Sequence, residues 1–317
     1  MRFVNAWLVS VSLSTSLAAA PFSDLVVFGD SLSDVGNVSE STSDLVPGSF
    51  YFDSRFSNGP VYAERLSSEL GLGTLTPSSE GGSNFAFGGA QTSGTGGLLG
   101  LFIDDIDEQV DDFLTAPSVP PGGALIVMFA GADDLLSGQT NVSVPVSNLV
   151  SDLERLIAAS FDAFLVLDLP PLGATPRFNR EPVQAAAMNQ LTLEFNAALR
   201  NALDSLQISE PTVSFYRLEV AGLFDEVIAD PNAFGLLNVT DPAAPGLAPG
   251  DSSYDTRQIA GDPDRYLFWD DLHPTAAAHA ILAQRALAIL PEPSGVFLFG
   301  VAFFALVAAS RSVARAR

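Results

Sequence analysis

Two patterns of apolar positions alternate along the chain. Short apolar runs bounded by turn residues occur at 25–28, 124–130, 164–167 and 212–216. All but the last are nearly continuous, which predicts strands buried on both faces. Between them apolar residues recur with helical spacing. Residues 60–70 open on Asn58-Gly59-Pro60, with Pro near the first turn, and stop at Gly71. Ile103, Ile106, Val110 and Phe113 form one stripe, and 146–159, 182–206 and 274–290 predict further helices. Strands alternating with helices imply a parallel sheet with helices on both faces, an α/β fold. No internal repeat or inter-domain linker interrupts the order. Three stretches rich in Gly, Pro, Ser and Asp, 39–52, 81–100 and 232–264, read as long loops of the kind that shape a substrate site.

The two ends do not follow this pattern. Met1-Arg2, an apolar run over 3–17 and the small residues Ala18-Ala19-Ala20 make a secretory signal peptide. A cut after Ala18, with Ser16 and Ala18 as the small residues, keeps Pro21 away from the cleavage point. At the other end Pro291-Glu292-Pro293-Ser294 precedes an apolar run over 295–309 and then Arg311, Arg315 and Arg317. The run is shorter than the roughly 20 residues of an ordinary spanning helix. Motif, short span and basic tail resemble the PEP-CTERM sorting signal of Gram-negative bacteria. The resemblance implies transient inner-membrane anchoring, cleavage by an exosortase-type enzyme and a final place at the cell surface or outside the cell. The expected organisation is a signal peptide at 1–18, one domain at 19–290 and a sorting signal at 291–317.

Charge narrows the partners. The 317 residues carry 37 acidic and 14 basic side chains, all of the latter Arg, for a net charge of -23. Setting aside Arg2, Arg311, Arg315, Arg317 and Glu292 leaves the exported part at -26. Nucleic acid and anionic membrane surfaces would repel such a chain. The absence of Cys excludes disulfides, thiolate metal sites and a Cys nucleophile, and two His cannot build a multi-histidine metal cage. Asp104, Asp105, Asp107, Glu108, Asp111 and Asp112 invite a calcium reading. They lack the loop glycine and ligand spacing of an EF-hand, and opposite the apolar stripe they read as a solvated helix face. No metal and no cofactor is called for. Asn141-Val142-Ser143 matches a glycosylation acceptor, which carries little weight if the host is bacterial.

Candidate chemistry sits where strand 25–28 runs into Gly29-Asp30-Ser31-Leu32-Ser33-Asp34. A Ser at the C-terminal end of the first parallel strand lies where α/β folds place their sites, and a helix beginning there would aim its N–H groups at the group Ser31 attacks. Far downstream, Asp270-Asp271-Leu272-His273-Pro274 puts a carboxylate one turn before a His at the mouth of a helix. A nucleophilic Ser needs a base to take its proton and a carboxylate to orient that base. Asp271 would point elsewhere, and His279 is an ordinary helix residue.

These pieces resemble the GDSL, or SGNH, hydrolase family, in its lipase/esterase-like branch, over residues 22–290. The matching blocks, in order, are 29–34 with Gly36-Asn37, then Arg55-Phe56-Ser57-Asn58-Gly59-Pro60-Val61, Asn84-Phe85-Ala86-Phe87-Gly88-Gly89-Ala90, Gly131-Ala132-Asp133-Asp134, and 270–275. The resemblance implies a flavodoxin-like three-layer α/β/α domain with a central parallel sheet. It implies Ser31 as nucleophile, His273 as base, Asp270 as its orienter, and an oxyanion hole from the Ser31 and Gly89 amides and residue 133. The family has Asn at that last position. An ionised Asp133 has no proton to donate and repels an oxyanion. Either Asp133 is protonated through burial beside Asp134, or a nearby Asn such as Asn84 donates instead, or the enzyme is weak.

The function implied is a secreted serine ester hydrolase working through an acyl-enzyme. Its substrate would be a lipid acyl ester or an acetylated polysaccharide, and its processing partners a signal peptidase and an exosortase-type enzyme. The alternative is a surface or extracellular-matrix protein that keeps the fold with weakened chemistry.

Overall fold

The computed structural model describes residues 21–95, 99–115, 120 and 122–291. The predicted signal peptide, and the predicted sorting signal after Pro291, lie outside the described residues. The elements are β1 (Asp24–Gly29), α1 (Asn37–Ser41), α2 (Tyr62–Glu69), α3 (Ile106–Thr115), β2 (Ala124–Phe129), α4 (Ala132–Leu136), α5 (Ser143–Ala158), β3 (Ala163–Leu167), α6 (Pro182–Ser209), β4 (Ser214–Leu218), α7 (Val220–Ala229), β5 (Asn238–Pro242), β6 (Tyr266–Phe268) and α8 (Ala276–Ile289).

Strands β1 to β4 form one parallel sheet in sequential order. Every residue of β2 and β3 is buried, as their unbroken apolar runs demand. At the sheet's far edge β4 starts on an exposed Ser214, is half-buried through Arg217, and is shifted two residues from the predicted 212–216. The chain from Ser83 to Phe87 runs along the free side of β1. Val27 N–H donates to the Ser83 carbonyl at 3.0 Å, Phe85 N–H to Val27 at 2.7 Å and Phe87 N–H to Gly29 at 3.1 Å. With this segment counted, the sheet takes the doubly wound order in which β1 has chain on both sides, and its C-terminal end lies at the switch point.

The helices pack in two sets, α2 on α8, and α3, α5 and α6 one upon the next. The start of α2 is secured by Glu64, whose Oε2 accepts the Val61 N–H at 2.9 Å, and the helix stops at Gly71, which takes φ +74° as predicted. Three predictions need correction. No helix follows Ser31 directly; Ser33 and Asp34 N–H close a single turn on the Asp30 carbonyl, and the next helix, α1, begins at Asn37. The final helix opens at Ala276, not Pro274, because Thr275 caps it. The 232–264 loop contains β5, which pairs in parallel with β6. That loop meets the 39–52 loop in a second small apolar cluster of Tyr51, Ala243, Ala244, Leu247, Tyr254 and Trp269.

Candidate active site

Ser31 stands one residue past the buried Asp30 at the end of β1. The Asp30 side chain accepts the Leu32 N–H at 3.0 Å, so the turn closes on itself and turns Ser31 out of line with the strand. Beneath it Gln109 of α3 clamps the last strand residue. Its Oε1 accepts the Gly29 N–H at 3.0 Å, and its Nε2 donates to the Gly29 carbonyl at 2.9 Å. Gly29 has no room for a side chain, since a Cβ there would lie 2.7 Å from the Phe129 carbonyl oxygen.

The short β6 delivers Asp270 and His273 to the same place. Asp270 Oδ1 accepts the N–H groups of Leu272 at 2.8 Å and His273 at 2.6 Å. Its Oδ2 faces His273 Nδ1 at 2.7 Å, and His273 Nε2 lies 3.0 Å from Ser31 Oγ. An ionised Asp270 claims the Nδ1 proton, which leaves the Nε2 lone pair for the Ser31 hydroxyl. Burial pushes the Asp270 carboxyl up, but His273 and the donated hydrogen bonds outweigh it and hold the group below its ordinary value. Asp271 is exposed and takes no part.

Two supports of this arrangement lie in the loops. The Tyr51 hydroxyl donates to Asp270 Oδ2 at 2.6 Å, and burial followed by the Asp270 charge pushes the phenol up. The 55–61 block holds the His273 turn. The Phe56 ring centroid lies 5.1 Å from that of His273, Ser57 Oγ donates to the Pro274 carbonyl at 2.9 Å, and Asn58 Oδ1 accepts the Ala276 N–H at 2.7 Å. Tyr51 and Gln109 were missed in the sequence reading. Only the position of Tyr51, at the end of a loop expected to shape the site, pointed toward it.

The segment beside β1 carries Gly88 and Gly89 past the end of the strand. Asp34 fixes their approach. Its Oδ1 accepts Gly36 N–H at 2.7 Å and Asn37 N–H at 2.8 Å, and its Oδ2 accepts Gly88 N–H at 2.9 Å. Burial outweighs these bonds and pushes Asp34 up to about 6. The Gly88 amide is therefore taken. Among the described residues the Gly89 and Ser31 amides have no hydrogen-bond partner. Gly89 sits at φ +88°, a conformation that suits glycine. Asn84 is no substitute donor: it is fully buried, does not line the Ser31 hollow, and is held by its Nδ2 donating to the Ser33 carbonyl at 2.7 Å and its Oδ1 accepting the Ala86 N–H.

On the other side of β1, β2 runs into Asp133. Asp134 is committed to Thr92, accepting its N–H at 2.9 Å and its Oγ1–H at 2.7 Å. The half-buried Asp133 side chain has no partner among the described residues and lines the same hollow as Ser31. Burial, then the nearby Asp30 charge, raises Asp133 above the ordinary carboxylate range, against the lowering influence of His273 and Arg177. Burial likewise raises Asp30.

The remaining candidates have ordinary roles. Asp105 is not on a solvated helix face. It precedes α3, is buried, and accepts the Gln91 N–H at 2.9 Å and the Thr95 hydroxyl at 2.6 Å. Asp111 pairs with Arg155, and among the described residues no cluster of carboxylates or imidazoles could hold a metal ion. His279 is buried, accepts the Tyr62 N–H on Nδ1 at 3.2 Å, and is pushed down to about 3 by burial, so it stays neutral. A hollow of about 670 Å³ between α2 and α8 lies away from Ser31.

The model of the family described as GDSL-like lipase/acylhydrolase matches residues 25–286. A phosphatidylcholine-sterol acyltransferase of Aeromonas hydrophila is 28% identical over 320 residues, covering 88% of this chain and 93% of that protein. The secreted effector protein SseJ of Salmonella typhimurium is 28% identical over 269 residues, covering 82% of this chain and 61% of its own length. A solved acetylxylan esterase from Geobacillus stearothermophilus superposes with a TM-score of 0.44 at 14% identity, over 85% of this chain and 95% of the esterase.

Proposed function

This chain belongs to the GDSL-like lipase/acylhydrolase family and is a carboxylic ester hydrolase, and on that premise we propose that it is an exported serine esterase whose acyl-enzyme forms on Ser31. The observation that carries the reading is the continuous relay from Ser31 Oγ through His273 to Asp270, at 3.0 Å and 2.7 Å. His273 Nε2 takes the Ser31 proton as Oγ attacks the ester carbonyl. The oxyanion is met by the Ser31 and Gly89 amides and by the O–H of a protonated Asp133. The imidazolium, stabilised by Asp270, then protonates the leaving alcohol. Water, activated by the same imidazole, releases the acid from Ser31.

The substrate is an acyl ester of a lipid or an acetyl ester of a polysaccharide, and no cofactor takes part. Export rests on the N-terminal pattern, with signal peptidase cutting after Ala18. Surface placement rests on the Pro-Glu-Pro motif and an exosortase-type processing enzyme. No helix among the described residues is long and apolar enough to cross a membrane, and the anchoring segment falls outside them. A second reading, a surface or matrix protein with weakened chemistry, is favoured by Asp133 alone.

The exported domain, residues 19–290, should hydrolyse nitrophenyl esters or acetylated sugar, and Ser31→Ala should abolish that turnover. Equal rates for the two proteins would end the esterase reading.

A further inference from the structure

We propose that the Phe224 ring is the back wall of the acyl site and restricts the enzyme to short acyl groups. The inference rests on the esterase reading and adds to it a substrate class, esters of acetyl-sized to butyryl-sized acids.

Two hollows carry the argument. The front one opens on Ser31, His273 and Asp133, and its walls are otherwise mainly apolar, with Leu32, Leu136, Leu172 and Phe268 among them. It is about 30 Å³, room for a short acyl group rather than for a long chain. Its apolar walls suit the acyl side of an ester, since an alcohol such as a sugar would leave its hydroxyls unpaired there. The rear hollow, also about 30 Å³, lies between α7 and α8 and is lined by Leu223, Val227, Leu267, Ile281 and Leu282. Its one polar lining side chain is the His279 ring.

Only two residues, Phe224 and Pro274, line both hollows. Pro274 is fixed from both sides. Its carbonyl accepts the Ser57 hydroxyl, and the next residue caps α8. Phe224 differs, because it reaches both spaces from α7. It belongs to the buried face of α7 with Val220, Leu223 and Val227, and its ring packs against that of Phe268, with centroids 6.0 Å apart, in the wall of the front hollow. Removing the ring joins a space that now ends at the acyl methyl to one continuing along apolar side chains of α7 and α8. An alkyl chain would fill it without exposing new polar surface.

The test measures kcat/KM of the purified full chain on nitrophenyl acetate, butyrate and octanoate. The wild type should favour acetate and butyrate. Phe224→Ala should raise the octanoate-to-acetate ratio by about 10-fold or more, the scale on which single apolar contacts discriminate substrates. Phe224→Leu, which keeps more of the core, should move the ratio in the same direction by less. Ala278→Leu, which fills the rear hollow, should cancel the gain when combined with Phe224→Ala. A wild type that cleaves octanoate as readily as acetate overturns the proposal. So does a ratio unchanged in both Phe224 variants. A wild type no faster than Ser31→Ala on every ester is a different result, which removes the esterase reading and the chain-length limit with it.

Discussion

At the scale of single residues, Asp133 decides how the site must be run. A neutral carboxylic acid donates a hydrogen bond to the developing oxyanion, whereas the ionised form repels it. Burial and the neighbouring Asp30 favour the neutral form at pH values where an ordinary Asp is charged. Activity should therefore fall as pH rises through the raised Asp133 titration. Asp133→Asn keeps a donor at every pH. It should flatten the alkaline side of the kcat profile and raise kcat there by up to about 100-fold, the scale of one oxyanion donor. A wild-type profile that stays level at alkaline pH, or a slower Asn variant, sinks the donor role. The grouping of Ser31, Asp270 and His273 was legible in the sequence because a serine relay restricts the residue types and Asp270 lies only three positions from His273. Tyr51 was not, because its partner Asp270 is 219 positions away and nothing local to Tyr51 announces the contact.

At the scale of elements, the site is held by clamps between segments distant in sequence. Gln109 ties α3 to the last residue of β1 across 80 positions, satisfying both backbone groups of Gly29. Gln109→Leu would leave the Gly29 N–H buried and unpaired, at about 1–3 kcal/mol, while the Gly29 carbonyl keeps the Phe87 N–H. Thermal unfolding should show a clear loss of stability, and an unchanged midpoint would mean that Gly29 finds other partners. The 55–61 block illustrates the limits of motif reading. Its likeness to the family was visible, but its work was not. Folding shows Phe56 against the His273 ring and Asn58 at the start of α8. Five of the longer helices, α2, α3, α5, α6 and α8, were readable within a few residues, but the ten-residue α7 was not predicted. The short α1, α4 and β6 were not, since three to five residues carry too little periodicity to stand out.

For the whole molecule, the acidic excess acts through burial as well as through surface charge. Asp34, Asp152 and Asp168 are each pushed up to about 6 chiefly by burial, and Asp30 and Asp133 are raised as well. A carboxyl whose folded pKa is raised binds its proton more tightly when folded. Its stabilising effect is complete below the unfolded value and is lost as pH rises through the folded one. His279, pushed down to about 3, works the other way, losing stability as pH falls below its unfolded value of roughly 6.5. Asp270, held low, also favours the higher pH. The raised carboxyls outweigh His279 between pH 5 and pH 8, where Asp270 is ionised folded and unfolded alike, and self-repulsion at a net charge of -23 acts in the same direction. The unfolding midpoint of residues 19–290 should be several degrees higher near pH 5 than near pH 8. A midpoint that rises with pH would mean that these carboxyls are solvated in the folded state.

Local order determined much of this protein. Apolar periodicity specified the alternating strands and helices, and the motif residues specified a serine, a base and a carboxylate, because both signals are written within a few consecutive positions. Tertiary structure alone decided which amides were free and which carboxylates were engaged. It took Gly88 for Asp34 and left Gly89 open, bound Asn84 elsewhere, and drew Asp105 into a buried turn. It also set Phe224 as a partition between two hollows. Hydrogen-bond partners and cavities are properties of surfaces brought together from distant parts of the chain, so no reading of neighbours along the sequence contains them.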